Sequence, residues 1–322
     1  MSTKDAQDKH IIKTTGGMLK PLLFCYRSLP NVIQIGKLDF TFTFASCAFL
    51  SLMRILFFNL LTSYYGWPVQ SKMTTDASSS LGSIVHSILL CGWLTEWFWK
   101  LGYRAYSPSA KLSDHNEKDP DLNDAAVACL QFCTGYMMFD TIWTVGDAYR
   151  LNILPLTEFE TLIMAHHVLT SFYMISCRAI GAGHISAMIL MLTGEISNPL
   201  MNGMFVTRFA VQLECCKHSE TIVLLHTLLE HSFAVVYIVF RTTIGPACAI
   251  HLAWDVLCTK QGRQNIPLLL SVIWVIMVIG VLVGSGPFIG EAIEMLQDGW
   301  QLKYTPDYDY GERYRIQGGD EL

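Results

Sequence analysis

Apolar runs long enough to cross a bilayer constrain this chain more than any other feature. A hydrocarbon core about 30 Å thick takes roughly 20 mainly apolar residues rising 1.5 Å each. Seven windows qualify, near 41–61, 81–101, 125–145, 161–178, 185–206, 221–241 and 266–289. In lipid every backbone N–H and C=O must find a partner within the chain, which leaves helices as the form these windows take. The fold expected is therefore all-α, a polytopic membrane helix bundle with about seven transmembrane helices. Composition agrees: 52% of the 322 residues are apolar and only 15% are charged, against about 25% charged in a soluble domain. The net charge of -5 supplies no basic field for nucleic acid, so no nucleic-acid partner is expected. Membrane lipid is the expected partner, and association with further copies of the chain is compatible with the pattern.

The flanks divide the chain further. Residues 1–40 read as a polar, basic arm without the apolar core of a signal peptide, residues 41–295 as the membrane domain, and residues 296–322 as a polar tail. The surplus of Lys and Arg on the N-terminal side of the first span orients that terminus to the cytoplasm and, for seven spans, the C-terminus to the opposite side. The apolar stretch 245–258 is short for a span and reads as an extension or interfacial piece. The tail ends Gly-Gly-Asp-Glu-Leu, which lacks the basic residue of the retention signal it is near and reads as a chance likeness. Cys47, Cys91, Cys129, Cys133, Cys177 and Cys248 fall within apolar segments, and none of the ten cysteines shows Cys-x-x-Cys spacing. Cys129 and Cys133 share a helix face, as small packing residues do, so no metal site is expected.

Ionisable groups within the windows are costly in lipid and therefore mark an interior. His166 and His167 stand side by side in MAHHVLTSFYMIS. Consecutive helical residues diverge by about 100°, so one imidazole is expected to face a cavity while the other packs. Glu195, Asn198 and Asn202 recur at steps of three and four and form one polar stripe, with Pro199 freeing a carbonyl one turn earlier. Tyr136 and Asp140, with Trp143 or Thr144, form a second stripe. His226 and Glu230 sit four apart and read as a structural pair. His86, Arg54 and Arg241 complete the set. Each arginine either snorkels to the interface or binds an anionic group.

Taken in order, these pieces resemble the TLC homology domain, the family that unites translocation-associated membrane proteins, ceramide synthases and smaller TLC-domain proteins. The resemblance is carried by Ser83 with His86, then Gly135, Tyr136 and Asp140, then His166 and His167 followed by Thr170. Glu195, Ser197, Pro199 and Asn202 come next, and Phe240, Arg241 and Pro246 close the series. The segment Glu195-Ile-Ser-Asn-Pro is nearer to the smaller TLC-domain proteins than to true ceramide synthases.

The resemblance implies a six-helix barrel around a long hydrophobic tunnel, residence in the endoplasmic reticulum and a link to sphingolipid. It places His166, His167 and Glu195 in catalytic positions, and the other intramembrane polar groups, His86, Tyr136, Asp140, Asn198, Asn202 and Arg241, are the expected substrate-binding residues. No cofactor is implied, with acyl-CoA entering as co-substrate only if the protein is an enzyme. In the ceramide synthase branch two aspartates three residues apart support the histidine pair, whereas this chain offers Glu195 and Asn198. One carboxylate of that arrangement is missing. The expected role is accordingly lipid binding and lipid homeostasis, ahead of N-acylation of a sphingoid base. A non-catalytic trafficking or translocation partner is the third reading.

Overall fold

The computed structural model describes residues 17–102, 107–116, 120–213 and 219–302. Most of the expected basic arm, with Lys4, Lys9 and Lys13, and the tail from Lys303 onward lie outside the described residues. What is described of the arm is ordered structure. Helix α1 (Leu19–Ser28) turns Leu19, Leu22 and Leu23 inward. Its first free N–H, that of Leu19, is accepted by Glu96 Oε2 at 3.0 Å, and Arg27 donates to Asp121 and Asp124 at 2.7 Å each. A two-stranded hairpin, β1 (Gln34–Ile35) and β2 (Leu38–Asp39), leads from α1 to the first long helix.

That helix, α2 (Thr41–Asn59), continues through a π-helical turn to Tyr64. After it come α3 (Lys72–Leu101), the short α4 (Ser113–Asn116), α5 (Pro120–Arg150) and α6 (Glu158–Ile180). Then follow α7 (His184–Glu195), α8 (Asn198–Gln212), α9 (Glu220–Val239), a second π-helical turn (Phe240–Ile244) and α10 (Gly245–Cys258). The series ends with α11 (Lys260–Asn265), α12 (Leu268–Gly284) and α13 (Gly286–Leu302). Among the described residues, five helical stretches are long and apolar enough to cross a membrane: Thr41–Tyr64, Lys72–Leu101, Pro120–Arg150, Glu220–Cys258 and Leu268–Gln297. The protein is an all-α, multi-pass membrane protein.

Two windows differ from the sequence reading. The window at 161–178 lies in α6, which falls outside those five stretches because Glu158, Glu160, His166, His167 and Arg178 dilute it. The window at 185–206 is two helices. Proline has no N–H to donate, so Pro199 suits a first helical turn and not a helix interior, and α8 restarts there after Ile196 and Ser197 leave α7. The stretch 245–258 is an extension of α9 across the π-helical turn, and α13 carries helix to Leu302, beyond the tail boundary at residue 296.

Six staves close a ring: α3 packs on α5, α5 on α6, α6 on α12, α13 on α9, α9 on α8 and α8 back on α3, with α12 continuing into α13. Helix α2 lies outside the ring against α3 and α5, and α7 runs among α3, α5, α6 and α10. Its side chains from His184 to Met188 are almost wholly buried. At one end of the ring Leu61, Trp67, Ala77 and Ala210 cluster, and Lys72 pairs with Glu160 at 3.2 Å. At the other, Asp255 accepts from the Ser109 N–H at 2.7 Å, and Leu112 N–H donates to Gly181 O at 2.8 Å. The eight described cysteines are free thiols, and Cys129 and Cys133 are fully buried.

Candidate functional site

A cavity of about 600 Å³ opens inside the ring, lined by α3, α5, α6, α7, α8, α9 and α12. That lies within the range of sites that enclose a single small ligand. Most of its wall is apolar, with Met, Phe and Leu the commonest lining residues, and its polar groups gather at two levels.

The deeper level is built by α5, α6 and the break between α7 and α8. His167 is 6% exposed. Its Nδ1 lies 3.7 Å from Asp140 Oδ2 and 3.4 Å from Thr141 Oγ1. His166 lines the same cavity, with Nδ1 3.5 Å from Thr170 Oγ1 and its ring 5.9 Å from that of His167. The two imidazoles therefore share one space, because the cavity spans an arc wide enough to admit neighbouring helix positions. His167 turns toward α5, and His166 sits on the flank that it shares with Tyr173.

Glu195 ends α7 and is 7% exposed. Its Oε2 accepts from Ser87 Oγ at 2.8 Å and from Asn198 Nδ2 at 2.9 Å, so Asn198 neutralises no charge but holds the carboxylate across the helix break. Asn202 lines the cavity while its amide donates to Asn198 O at 2.9 Å within α8. Arg241 enters from the π-helical turn, a local widening of the helix that often re-aims a side chain at a functional site. Its Nη2 is 3.5 Å from Gly194 O and its guanidinium 5.2 Å from the Tyr237 ring, while Nε has no hydrogen-bond partner.

Eight of the nine sequence candidates line the cavity: His166, His167, Glu195, Tyr136, Asp140, Asn198, Asn202 and Arg241. His86 does not. It is completely buried behind the wall, stacked on Tyr136 at 3.8 Å and near-parallel to Phe132 at 5.1 Å, with Nδ1 3.6 Å from Glu195 Oε2. Tyr136 in turn donates to Ser83 Oγ at 3.1 Å. Asp140 is thus the carboxylate beside His167, and Glu195 is the one beside His86. Ser87, Thr141 and Tyr237 were not singled out in sequence. Their signal is helical register alone, since Ser87 follows Ser83 by four and Tyr237 precedes Arg241 by four.

The second polar level is one end of the ring, where Lys72, Asp76, Asp147 and Glu160 line the cavity. Arg54 reaches this level from α2, only 3% exposed. It is ion-paired with Asp147, donates through Nε to Ser79 Oγ at 2.8 Å and lies 4.0 Å above the Trp143 ring. Its partners all lie inside the protein. His226 and Glu230 face α8 and not the cavity, with His226 Nδ1 3.0 Å from Thr207 Oγ1 and Glu230 4.0 Å from Arg208. Among the described residues no group of three or more His, Cys, Asp and Glu could hold a metal ion.

The model of one family, the TLC domain of the TRAM/LAG1/CLN8 type, matches residues 76–284. The chain belongs to the TLC domain family. The matched segment runs from the first turns of α3 to the end of α12, so it covers most of the cavity wall and all nine candidate residues. No curated protein sequence and no solved structure matches the chain. The protein is thus an integral membrane protein of a family linked to lipid biology. Where the ceramide synthase branch carries its second aspartate, this TLC domain has Asn198, but a second carboxylate faces the cavity from a different helix, at Asp140.

Proposed function

We propose that this TLC-domain protein binds a membrane lipid inside the ring and acts in lipid homeostasis. The observation that carries the reading is the segregation of the cavity wall. Apolar side chains form most of it, and Asp140, His167, Glu195, Asn198 and Arg241 form a linked polar group apart from the charged end at Lys72, Asp76, Asp147 and Glu160. An apolar wall with a few convergent polar groups is how a site takes an amphipathic molecule, because the tail loses water contact and the head finds hydrogen bonds. Arg241 contributes a fork of donors for a phosphate or carboxylate, and Asp140 and Glu195 accept from an amine or hydroxyl. Residence in the endoplasmic reticulum and a sphingolipid ligand accord with the family resemblance.

The test is mass spectrometry of lipid retained by the purified protein. Wild type carries a defined lipid class at close to one molecule per chain. Arg241→Met and Asp140→Asn, which keep side-chain volume, lose most of it while eluting as monodisperse protein. Equal retention by the variants overturns the reading.

The Asp140–His167 pair favours a second reading, transfer of an acyl group to an amine. A carboxylate beside an imidazole fixes its tautomer and supports its positive charge once a proton arrives. In that reaction the amine nitrogen of a sphingoid base attacks the thioester carbonyl of acyl-CoA and His167 takes the proton from nitrogen. The C–S bond breaks, the amide forms, and the CoA thiolate leaves and recovers a proton. Purified protein given a sphingoid base and long-chain acyl-CoA then makes ceramide, and His167→Ala does not. Absence of product across chain lengths, with lipid still bound, leaves the binding reading alone.

A further inference from the structure

The ring does not close equally well all round. Helices α6 and α12 with α13 run antiparallel and meet through aromatic contacts at two levels. Phe159 meets Phe288 with ring centroids 5.4 Å apart, and Tyr173 meets Trp274 at 4.6 Å, with Trp274 Nε1 donating to Ser176 Oγ at 2.9 Å. Between these contacts, among the described residues, apolar side chains, His166 and glycines face one another across the seam, which is the most thinly packed of the ring. Phe159 and Tyr173 are fourteen residues apart, as are Trp274 and Phe288, so the interval is about 20 Å tall at 1.5 Å per residue.

The residues along the interval explain the gap. On α6 the flank between the aromatic contacts presents Leu162, His166 and Leu169, which recur at steps of four and three. On α12 the facing flank presents Met277, Gly280 and Gly284. A side chain built on either glycine meets no atom within 4 Å, so bare backbone faces open space. Leu162 and Leu169 are 46% and 39% exposed although both line the cavity, and Gly280 also lines it while exposed. The cavity therefore reaches the outer surface of the ring here. The most apolar 18-residue window of the α12–α13 stretch has a mean hydropathy of 2.7, the highest among the five candidate spans, so the medium outside this surface is hydrocarbon.

We infer that the interval between α6 and α12 is a lateral portal through which the acyl chain of a bilayer lipid enters the cavity. This rests on the reading that the cavity holds a lipid. A slot about 20 Å tall exceeds the roughly 15 Å depth of one leaflet within a 30 Å core, so a chain can pass sideways along its length and stay in an apolar medium throughout. Its rim is apolar apart from His166. That places His166 at the threshold, one step from the Asp140–His167 pair, and gives the two adjacent histidines different duties.

The experiment is exchange of retained lipid against deuterated phosphatidylcholine in nanodiscs, followed by mass spectrometry of the protein's bound lipid over time. Gly280→Leu with Gly284→Leu fills the slot where nothing opposes the new side chains. Exchange is expected to slow by about tenfold, since an overfilled gap must be forced apart for each passage. Gly290→Leu, whose position is equally open but outside the slot, exchanges at the wild-type rate. Leu162→Ala with Leu169→Ala widens the rim and speeds exchange, which keeps the test independent of whether the filled variant folds. If wild type is loaded and all variants exchange alike, the portal is refuted and the lipid-binding reading stands. If wild type retains no lipid, the lipid-binding reading fails and the portal with it.

Discussion

Gly135 stands where α2 crosses α5, and adding one methyl group there tests how the outer helix sets the site. A Cβ at Gly135 would lie 2.5 Å from Thr43 O, 2.8 Å from Ser46 Cβ and 3.2 Å from Cys47 N. Two of these three atoms are backbone and cannot rotate away. Ordinary contact begins at 3.4 Å, so α2 must retreat by 3.4 − 2.5 = 0.9 Å. It is held in place by Thr43, whose N–H donates to Gln131 Oε1 at 3.2 Å, and by Trp143 Nε1, which donates to Ser51 Oγ at 3.0 Å. Overfilling of this kind costs about 1–3 kcal/mol, partly offset by the roughly 1 kcal/mol that alanine gains over glycine within a helix.

Gly146 on the same helix is the control, because a Cβ there meets nothing within 4 Å. The propensity gain is common to both, so the difference in stability between Gly135→Ala and Gly146→Ala isolates the crossing at about 1–3 kcal/mol. Thermal unfolding of the two variants in the same detergent measures it. Gly135→Ala is expected to melt below wild type or level with it, and Gly146→Ala at or above wild type. Equal midpoints for the two variants refute the close crossing. Tyr136 and Asp140 ride on the same stave, so Gly135→Ala is also expected to lower lipid retention.

Arg54→Met leaves Asp147 buried beside only the half-exposed Arg150, 3.4 Å away, and is expected to destabilise the protein by about 3–5 kcal/mol. Arg54→Met with Asp147→Leu restores most of that, and a double variant no better than the single one sinks the account. Thr157 caps α6, accepting from Glu160 N–H at 3.2 Å while its own N–H donates to Glu160 Oε2 at 2.8 Å. Thr157→Ala should lower stability by about 1 kcal/mol, seen as earlier unfolding and faster proteolysis at the α5–α6 connection. Arg27→Ala removes an exposed double ion pair and is expected to cost under about 1 kcal/mol, an effect erased at high salt; a larger or salt-insensitive loss would contradict that.

The helical character of the chain and the residues at its polar depth were legible in sequence because both are local properties. Hydropathy over a window reports transfer to lipid, and a step of three or four reports a shared face. The stripe of Glu195, Asn198 and Asn202 shows where this stops working. The chain breaks between the first two of these residues, yet Asn198 still reaches Glu195 across the break, an outcome the spacing suggested for the wrong reason. His86 shows the opposite failure, since its position in an apolar window is that of a cavity residue and only the rings of Tyr136 and Phe132 exclude it from the wall.

Sequence by itself determined that this chain is a multi-pass helical membrane protein of the TLC domain family, and which side chains are too costly in lipid to be incidental. Tertiary structure alone decided their partners. Asp140 meets His167, Glu195 meets His86, Arg54 pairs with Asp147, and Gly280 and Gly284 of α12 face open space beside α6. The physical reason is that the period of a helix fixes only the angles within it. The rotation and separation of one helix against another are set by contacts such as the Gly135 crossing and the Trp274 ring, between residues far apart along the chain.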